Sequence, residues 1–429
     1  MTYEEALTFI KGTGVPGITP GLSRVTELLE RLGRPQEQFR CVHIAGTNGK
    51  GSAAVMLASV LQAAGYRTGL FTSPYLVRYQ EQIRVDGEEI SEEAFCLRAD
   101  TVQAAMAGMR ETPSEFERVV SMAFLHFAQE SCEIVVIETG MGGRLDATNV
   151  FERTEVDVLT HIAMDHTAFL GDSIEQIAGE KAGIIQDGAD VVLQHQTEEV
   201  EAVIRERCGQ MNAELLITDP SRMIVGAGSI EGQYFSYRGR RDLFLPLSGV
   251  YQRDNAMTVL DAVDVLSRKG WQITDEAVRE GLARVKWPGR FEILQKRPLV
   301  LLDGAHNEDG IIALARTLDA YLPGQKIHFV FGVLADKNYR AMLRHILPHA
   351  CEIIAANPDN PRALSAENLC AVIREYADEL AVCEGGTIRD SVRKALKHCP
   401  EDGVICILGS LYQAGEARAM FPQETDICM

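Results

Sequence analysis

The chain has 429 residues, more than one hydrophobic core usually supports, so its length predicts two domains. A hydrophobic content of 46% excludes a disordered chain, and 37 glycines and 15 prolines spread without period exclude a collagen-like one. The 61 acidic residues outnumber the 42 lysines and arginines, and the net charge of -19 argues against a general nucleic-acid binder. Small anions can still bind in a cleft, where nearby groups set the potential.

The start of the sequence, Met1 to Glu5, has neither the basic flank nor the apolar segment of a signal peptide. No run approaches the roughly 20 apolar residues of a membrane span, so we expect a cytoplasmic protein without a membrane partner. The ten cysteines include no Cys-x-x-Cys pair, which predicts reduced and mostly buried thiols.

Apolar runs typical of strands alternate with segments of helical period, which predicts an α/β fold with mostly parallel sheets. The predicted strands cover residues 41–45, 133–137, 156–160, 191–193, 299–302, 327–331, 352–355, 380–382 and 404–408. The predicted helices cover residues 53–64, 173–185, 311–322 and 388–398. Residues 235–247, with Gly239 between two strand-like stretches, predict a hairpin. A proline after a basic pair at 295–298 predicts a boundary between domains 1–296 and 297–429, with a ligand cleft between them.

The strongest chemical signal is a glycine-rich run between a predicted strand and a predicted helix, Gly46-Thr-Asn-Gly-Lys-Gly-Ser52. Its glycines allow a tight turn with backbone N–H groups directed at an anion, and Lys50 and the helix N-terminus add positive charge. Gly51 stands where Ser or Thr usually follows the lysine, and Ser52 comes one residue late. The run still predicts a site for nucleotide phosphates, and a turn without catalytic role is the alternative.

Polar side chains follow two more predicted strands. Glu138 ends the run at 133–137, beside the phosphate loop if the two strands are parallel neighbours, and its carboxylate suits magnesium. The loop after it contains three glycines and Asp146, which favours close approach to a ligand. His166 follows the strand at 156–160, and beside Glu138 we interpret it as a metal ligand. Lys181 lies in a helical segment, so the residues alone place it on the surface.

Taken in order, these segments closely resemble the folate branch of the Mur ligase superfamily, the dihydrofolate and folylpolyglutamate synthases. Gly51, which departs from the usual phosphate-loop pattern, is what this branch carries. The resemblance covers almost the whole chain and implies a P-loop-containing central domain followed by a smaller Rossmann-like domain. Further matching segments are residues 21–35, 72–76, 180–184, 249–252 with Asn255, 287–292, 303–307 and 409–412.

The resemblance also implies roles for individual residues. The implied ATP contacts are Asn48, Gly49, Lys50, Gly51, Ser52, Asn255, Arg290 and Asp303. The implied magnesium ligands are Ser73, Glu138 and His166, and the implied substrate contacts are Thr72, Pro74, Tyr75, Asp146, His306 and Ser410. Lys50, His166 and Lys181 are the implied catalytic residues, and Lys181 matches a lysine that the family carbamylates, which opposes its placement on the surface. Tyr75 stands where some members carry His or Phe.

The implied activity is ATP-dependent ligation of L-glutamate to folates, and to dihydropteroate, through an acyl phosphate. The implied protein is a cytoplasmic monomer that binds neither nucleic acid nor membrane. A Mur-type ligase of cell-wall precursors is one alternative, but it is expected to have a uridine-nucleotide domain where only about forty residues precede the phosphate loop. A P-loop switch or motor is the other, against which the second α/β domain argues.

Overall fold

The computed structural model describes residues 1–12 and 21–421, which form two compact units. The first consists of Met1–Val225, Phe235–Phe244 and Asp254–Val285, and the second of Gly226–Tyr234, Leu245–Arg253 and the described part of Lys286–Met429. Both contain mostly parallel sheets and helices, so the predicted α/β class is confirmed. The boundary predicted after residue 296 stays a prediction.

Helices and strands alternate along most of the chain. The strands are β1 (Arg40–Ala45), β2 (Thr68–Phe71), β3 (Ile83–Val85), β4 (Glu88–Glu89), β5 (Ile134–Glu138), β6 (Val156–Leu159), β7 (Asp190–Leu193), β8 (Glu214–Ile217), β9 (Met223–Ser229), β10 (Gly232–Tyr237), β11 (Arg240–Leu245), β12 (Glu292–Lys296), β13 (Leu299–Leu302), β14 (Ile327–Phe331), β15 (Ala350–Asn357), β16 (Ala381–Thr387) and β17 (Val404–Leu408). The α-helices are α1 (Tyr3–Lys11), α2 (Ser23–Arg31), α3 (Lys50–Ala63), α4 (Glu92–Ala105), α5 (Glu115–Gln129), α6 (Thr167–Leu170), α7 (Ile174–Ala182), α8 (Glu198–Gln210), α9 (Gln252–Arg268), α10 (Asp275–Arg284), α11 (Glu308–Tyr321), α12 (Tyr339–Ile346), α13 (Ala366–Tyr376), α14 (Ile388–His398) and α15 (Leu411–Arg418). Short 3-10 helices cover Pro35–Glu37, Tyr79–Gln82, Pro220–Arg222 and Leu347–His349.

The sheet of the first unit has the order β4-β3-β2-β5-β1-β6-β7-β8, and its central strands run parallel. Strands β1 and β5 are almost wholly buried because helices cover both faces of a parallel sheet, which explains their continuous apolar sequences. Ile44 of β1 is in register with Glu138 of β5, and Phe71 of β2 is in register with Ile137. The loops that follow β2, β5, β1 and β6 therefore emerge at one edge of this sheet.

The sheet of the second unit has the order β12-β13-β17-β14-β15-β16. Strands β13, β17, β14, β15 and β16 are parallel, whereas β12 pairs antiparallel with β13. The carboxyl ends of β13 and β17 are neighbours, and they lead into the loops that contain Asp303 and Gly409. A separate three-stranded sheet, β11-β10-β9, contains the predicted hairpin, with Gly239 at its turn.

All predicted strands and helices are present, although helix α7 ends at Ala182, earlier than predicted. Strands β2, β3, β4, β8, β9 and β12 were not predicted. The nine cysteines among the described residues are free thiols, six of them buried as predicted, and Cys428 lies outside those residues. Across residues 1–12 and 21–421, no helix is both long and apolar enough to cross a membrane.

The packing of α10 on α3 supports the helix that begins at the phosphate loop, and it depends on Gly281. A Cβ there would lie 2.5 Å from the Val60 Cα and 2.9 Å from the Ser59 carbonyl oxygen, both backbone atoms. We expect Gly281→Ala to lower the free energy of unfolding in urea by about 1–3 kcal/mol through overpacking. The matched control is Gly209→Ala in exposed helix α8, where a Cβ meets open space; it should raise stability by about 0.5–1 kcal/mol. Equal effects of the two substitutions would contradict this packing.

Candidate active site

The phosphate loop connects β1 to α3, which begins at Lys50. Gly46 and Gly49 have φ angles of 156° and 90°, conformations that L-residues with a Cβ rarely adopt. A Cβ on Gly46 would collide with the Thr160 hydroxyl, and one on Gly49 would collide with the buried Asn255 carboxamide. The structure therefore brings Asn255 against the phosphate loop, although the two are about two hundred residues apart in sequence.

The backbone amides of the loop are not all directed at a ligand. The amides of Thr47 and Asn48 donate to the His161 carbonyl oxygen at 2.8 and 3.1 Å, which corrects the expectation that successive amides of this run face an anion. The first-turn amides of α3, those of Lys50, Gly51 and Ser52, have no acceptor within the helix. The amides of this loop that could face an anion are therefore those at the helix N-terminus.

Lys50 adds a full positive charge to this N-terminus. Its Nζ donates to the Thr47 carbonyl oxygen at 3.2 Å, so the side chain folds back over the loop. Ser52, two residues further on, is 4% exposed. Both side chains lie at the end of the helix where an anion is stabilised by the helix dipole.

Glu138 and Ser73 meet at the same edge of the sheet. Glu138 is 5% exposed, and its Oε2 accepts a hydrogen bond of 3.0 Å from the Ser73 amide. The pairing of β2 with β5 explains the contact, because it aligns the ends of both strands. The structure thus brings together Ser73 and Glu138, two of the magnesium ligands that the resemblance implies, through the Ser73 backbone amide.

The loop after β2 also carries three of the implied substrate contacts. Thr72 is buried and donates its amide to the Gln82 carbonyl oxygen at 3.1 Å, whereas Pro74 is exposed. Tyr75 packs its ring on Tyr79 with 4.3 Å between ring centroids. The buried Thr72 and the Tyr75–Tyr79 contact therefore hold this loop against its own unit, while Pro74 faces solvent.

Asp146 is the most heavily hydrogen-bonded acid of the loop after β5. Its Oδ2 accepts from the Met141 amide at 2.8 Å, and its Oδ1 accepts from the Thr148 amide at 3.0 Å and the Thr148 hydroxyl at 2.6 Å. Burial raises the pKa of Asp146, while these bonds and the charge of Lys50 oppose the rise. The carboxylate is fixed in one orientation by three donors.

Lys181 is 3% exposed, so its placement on the surface from residues alone was wrong. Its Nζ donates to the Gly46 carbonyl oxygen at 2.7 Å, at the base of the phosphate loop. Burial, and next the charge of Lys50, lower the pKa of Lys181 to about 7, while Asp165 and Asp146 oppose the shift. This amine is therefore neutral in a large fraction of molecules near neutral pH.

The burial of Lys181 depends on two glycines. The loop after β5 packs onto the end of α7, where a Cβ on Gly143 would lie 2.8 Å from the carbonyl oxygens of Glu180 and Lys181. A Cβ on Gly183 would collide with Arg144, whose guanidinium bonds Glu180 at 2.7 Å. These close approaches cover the last turn of α7.

His166 lies at the start of α6 in a left-handed conformation, with φ of 51°. Its side chain is 44% exposed, and its Nε2 lies 3.9 Å from the Asp165 carboxylate. Within the described residues, no group of three or more His, Cys, Asp or Glu side chains could hold a metal by itself. Ser73 and Glu138 offer the oxygen donors that Mg²⁺ prefers, whereas His166 offers an imidazole nitrogen, so phosphate and water would have to supply most of the ligands.

The second unit gathers the other implied contacts around the end of β13. Asp303 is 3% exposed and accepts from the amides of Phe291 at 2.9 Å and Ala305 at 2.8 Å. Its pKa is raised by burial and lowered in part by the charge of Arg290. Arg290 lies close to Gly304, where a Cβ would be 2.8 Å from its guanidinium.

His306 and Ser410 lie on the loops that follow two neighbouring strands. The Nδ1 of His306 is 2.8 Å from the Gly304 carbonyl oxygen, so Nδ1 carries the proton and Nε2 is the acceptor in the neutral ring. Ser410, 2% exposed, follows Gly409, whose amide donates to the Ala305 carbonyl oxygen at 2.9 Å. The structure thus joins the loops after β13 and β17.

Two residues that contact the predicted sites were missed from the sequence. His43 lies in β1, 1% exposed, with its Nε2 2.8 Å from the Thr148 hydroxyl. Tyr251 donates its hydroxyl to the Asp303 carboxylate at 3.2 Å. A histidine within an otherwise apolar strand was the available signal for the first, and Tyr251 had none beyond its place in a matched segment.

Comparison with known families matches both parts of the chain. The Mur ligase middle domain matches residues 44–263, and the Mur ligase glutamate ligase domain matches residues 289–411. The chain belongs to the Mur ligase family. The match to the middle domain contains the phosphate loop, Glu138, His166 and Lys181, and the match to the glutamate ligase domain contains Arg290, Asp303, His306 and Ser410.

Relatives of similar length place the chain in the folate branch of this family. It is 37% identical to the dihydrofolate synthase/folylpolyglutamate synthase of Bacillus subtilis, over 97% of this chain and 98% of that protein. The folylpolyglutamate synthase of Mycobacterium tuberculosis complexed with ADP has a TM-score of 0.90 at 32% identity, covering 98% of both chains. An Escherichia coli structure in complex with DHPP and ADP has a TM-score of 0.87 at 28% identity, covering 98% of this chain and 97% of that one.

The low pKa of Lys181 makes stability depend on pH. Between about 7 and the usual value of 10.5, the unfolded chain binds a proton that the folded chain does not, so stability rises with pH. In carbon dioxide-free buffer, we expect Lys181→Met to remove up to about 5 kcal/mol of this rise, measured by urea unfolding from about pH 7 upward. The control Lys397→Met, at an exposed lysine of α14, should keep the wild-type slope. Parallel curves for Lys181→Met and wild type would contradict the neutral buried amine.

Proposed function

We propose that this protein ligates L-glutamate to folates and to dihydropteroate, with ATP converted to ADP and phosphate. The observation that carries the proposal is the meeting of the phosphate loop, Glu138 and buried Lys181 at one sheet edge. It occurs in a chain that aligns almost end to end with a dihydrofolate synthase/folylpolyglutamate synthase.

The reaction must activate a carboxylate before an amine can attack it. Transfer of the γ-phosphoryl group of ATP to the folate carboxylate gives an acyl phosphate and ADP. The glutamate amine then attacks the acyl carbon, the new amide bond forms, and phosphate leaves. The first-turn amides of α3 and the charge of Lys50 hold the phosphates and balance their negative charge.

Ser73, Glu138 and His166 are the residues that would hold Mg²⁺ in this proposal. The ion would neutralise phosphate charge during transfer. The Ser73 amide fixes the Glu138 carboxylate, and burial keeps bulk water from competing for its oxygens. The His166 side chain is 44% exposed at the start of α6, so its imidazole is accessible to an ion that binds there.

Lys181 is proposed as a carbamate rather than a free amine. Carbamate formation requires a neutral amine, which the burial of Lys181 supplies near neutral pH. Its nitrogen bonds the carbon of carbon dioxide and releases one proton to solvent, so a neutral amine becomes an anion beside Lys50. The family resemblance supports this assignment, and the buried position at the base of the phosphate loop agrees with it.

The remaining assignments follow the resemblance. Thr72, Pro74, Tyr75 and Asp146 contact the folate side, and Asn48, Asn255, Arg290 and Asp303 contact the nucleotide. His306, whose Nδ1 bonds the Gly304 carbonyl oxygen, and Ser410 lie near the incoming glutamate. Domain 1–296 carries the ATP contacts other than Asp303, and domain 297–429 carries Asp303 and the glutamate-ligase function. The protein works as a monomer in the cytoplasm and binds neither nucleic acid nor membrane.

A ligase of cell-wall precursors is not favoured, because the relatives that match over the full length are folate synthases. A nucleotide switch or motor is not favoured either, because the second unit carries the family's glutamate ligase domain. The assay below shows which folate form is preferred, because each acceptor is tested alone. The mass of the product shows how many glutamates are added.

The decisive experiment measures phosphate release with ATP, Mg²⁺ and glutamate in the presence of one acceptor at a time. We expect release with dihydropteroate and with tetrahydrofolate, none with a uridine-linked peptide precursor, and none without Mg²⁺. Each release should be matched by one glutamate added to the acceptor, measured by mass. Turnover with the uridine-linked precursor, and with neither folate acceptor, would overturn the proposal.

Lys50→Ala tests the phosphate-loop assignment in the same assay. Lys50 is the first residue of α3 and its Nζ folds back to the Thr47 carbonyl oxygen, so its removal should leave the free energy of unfolding near that of wild type. Turnover should fall by at least about a hundredfold because the phosphate charge loses its cation. Wild-type turnover in a folded Lys50→Ala protein would contradict the phosphate-loop assignment.

The carbamate predicts chemical rescue. Lys181→Ala should lose most activity, and acetate or formate, small enough to enter the vacated space, should restore part of it by supplying the missing anion. In wild type, labelled bicarbonate should give a carbamate signal by carbon-13 NMR that is missing from Lys181→Ala. Full activity of Lys181→Ala without added carboxylate would return Lys181 to a structural role.

A further inference from the structure

A chain of buried hydrogen bonds leads from the centre of the sheet to Asp146. His43 lies in β1, wholly covered, and its Nε2 is 2.8 Å from the Thr148 hydroxyl. That hydroxyl is 2.6 Å from the Asp146 Oδ1, and the Thr148 side chain has no exposed surface. None of the roles assigned so far uses His43 or Thr148.

The chemistry of the three side chains determines which atom donates and which accepts in each hydrogen bond. Backbone amides of Met141 and Thr148 can only donate, and both point at Asp146, which favours its ionised form. The Thr148 hydroxyl therefore donates to Asp146, and its lone pair accepts from His43. Burial lowers the pKa of His43 to about 3, so the ring is neutral and carries its single proton on Nε2.

This arrangement holds the carboxylate more tightly than the loop alone could. Oδ1 receives two donors, both from Thr148, while the described residues give Oδ2 one donor, the Met141 amide. Each carboxylate oxygen accepts about two hydrogen bonds, so Oδ2 keeps capacity for a donor on a ligand. His43 fixes the rotation of the Thr148 hydroxyl, and the hydroxyl fixes the plane of the carboxylate.

We infer that His43 and Thr148 are positioning residues that aim the Asp146 carboxylate at an N–H-bearing group of the folate-side substrate. The inference rests on the proposed function and adds two residues, neither of which touches the substrate. A carboxylate held in this way recognises hydrogen-bond donors on a heterocycle better than a mobile one, because its orientation is set before binding.

A competing role for the same chain is to support the phosphate loop. The charge of Lys50 acts on Asp146, and Asp146 in turn acts on Lys181. If the chain served that purpose, loss of the Thr148 hydroxyl would weaken ATP binding. The two roles therefore differ in which substrate loses affinity.

The test compares Thr148→Val, which removes the hydroxyl at nearly constant volume, with Thr148→Ser, which keeps it. For Thr148→Val we expect the KM for dihydropteroate and for tetrahydrofolate to rise roughly tenfold, with the KM for ATP within about twofold of wild type. Thr148→Ser should restore the wild-type KM for the folate acceptor. Unfolding in urea, measured on each variant, separates these effects from a loss of folded protein.

His43→Leu provides a second variant in case Thr148→Val folds poorly. It removes the donor to the Thr148 hydroxyl and should raise the KM for the folate acceptor, as Thr148→Val does. A sample that contains unfolded molecules would instead show a lower kcat with an unchanged KM. A rise in the KM for ATP, or an unchanged folate KM in folded Thr148→Val and His43→Leu, would overturn the inference. Wild-type protein without turnover on any folate acceptor would instead refute the proposed function.

Discussion

The register between β1 and β5 is the constraint on which the site depends. Because Ile44 pairs with Glu138, the phosphate loop and the buried carboxylate leave the sheet at the same level. The loop after β5 then crosses the end of α7 and covers Lys181, whose amine reaches Gly46. A shift of one residue would turn Glu138 to the other face of the sheet and separate it from Ser73.

Buried charges dominate the electrostatics of this edge. Burying the Lys181 amine in its charged form is unfavourable, and Lys50 adds to the cost, so the folded protein favours the neutral amine. Asp146 and Asp165 offset part of that effect, and a single hydrogen bond to Gly46 satisfies one proton. Keeping Lys181 buried and uncharged beside a cation lowers the stability of the folded state. Such an environment is typical of functional rather than structural lysines.

Sequence reasoning succeeded where burial alone decides the pattern. The run at 133–137 predicts β5 because a central parallel strand is apolar on both faces, and the glycines of the phosphate loop mark positions that need positive φ. It failed for Lys181, whose burial depends on Gly143 in a distant loop, and for β9, whose residues are mostly exposed. His43 could not be paired with Thr148 because 105 positions separate them. The family resemblance, rather than the physical pattern of the residues, argued against a surface position for Lys181.

Asp146 and Asp303 are built alike, and the likeness limits what either can do. Each is a buried acid in the loop that follows a strand, each accepts two backbone amides and one hydroxyl, and burial raises the pKa of each. An acid that organises its own loop in this way has few lone pairs left for a ligand. Asp303 therefore chiefly holds the backbone beside Arg290 and His306, and Asp146 keeps its remaining hydrogen-bond capacity at Oδ2, the oxygen with fewer donors. In both loops the carboxylate organises the local backbone, so substitution by asparagine should disturb the loop as well as any contact with a ligand.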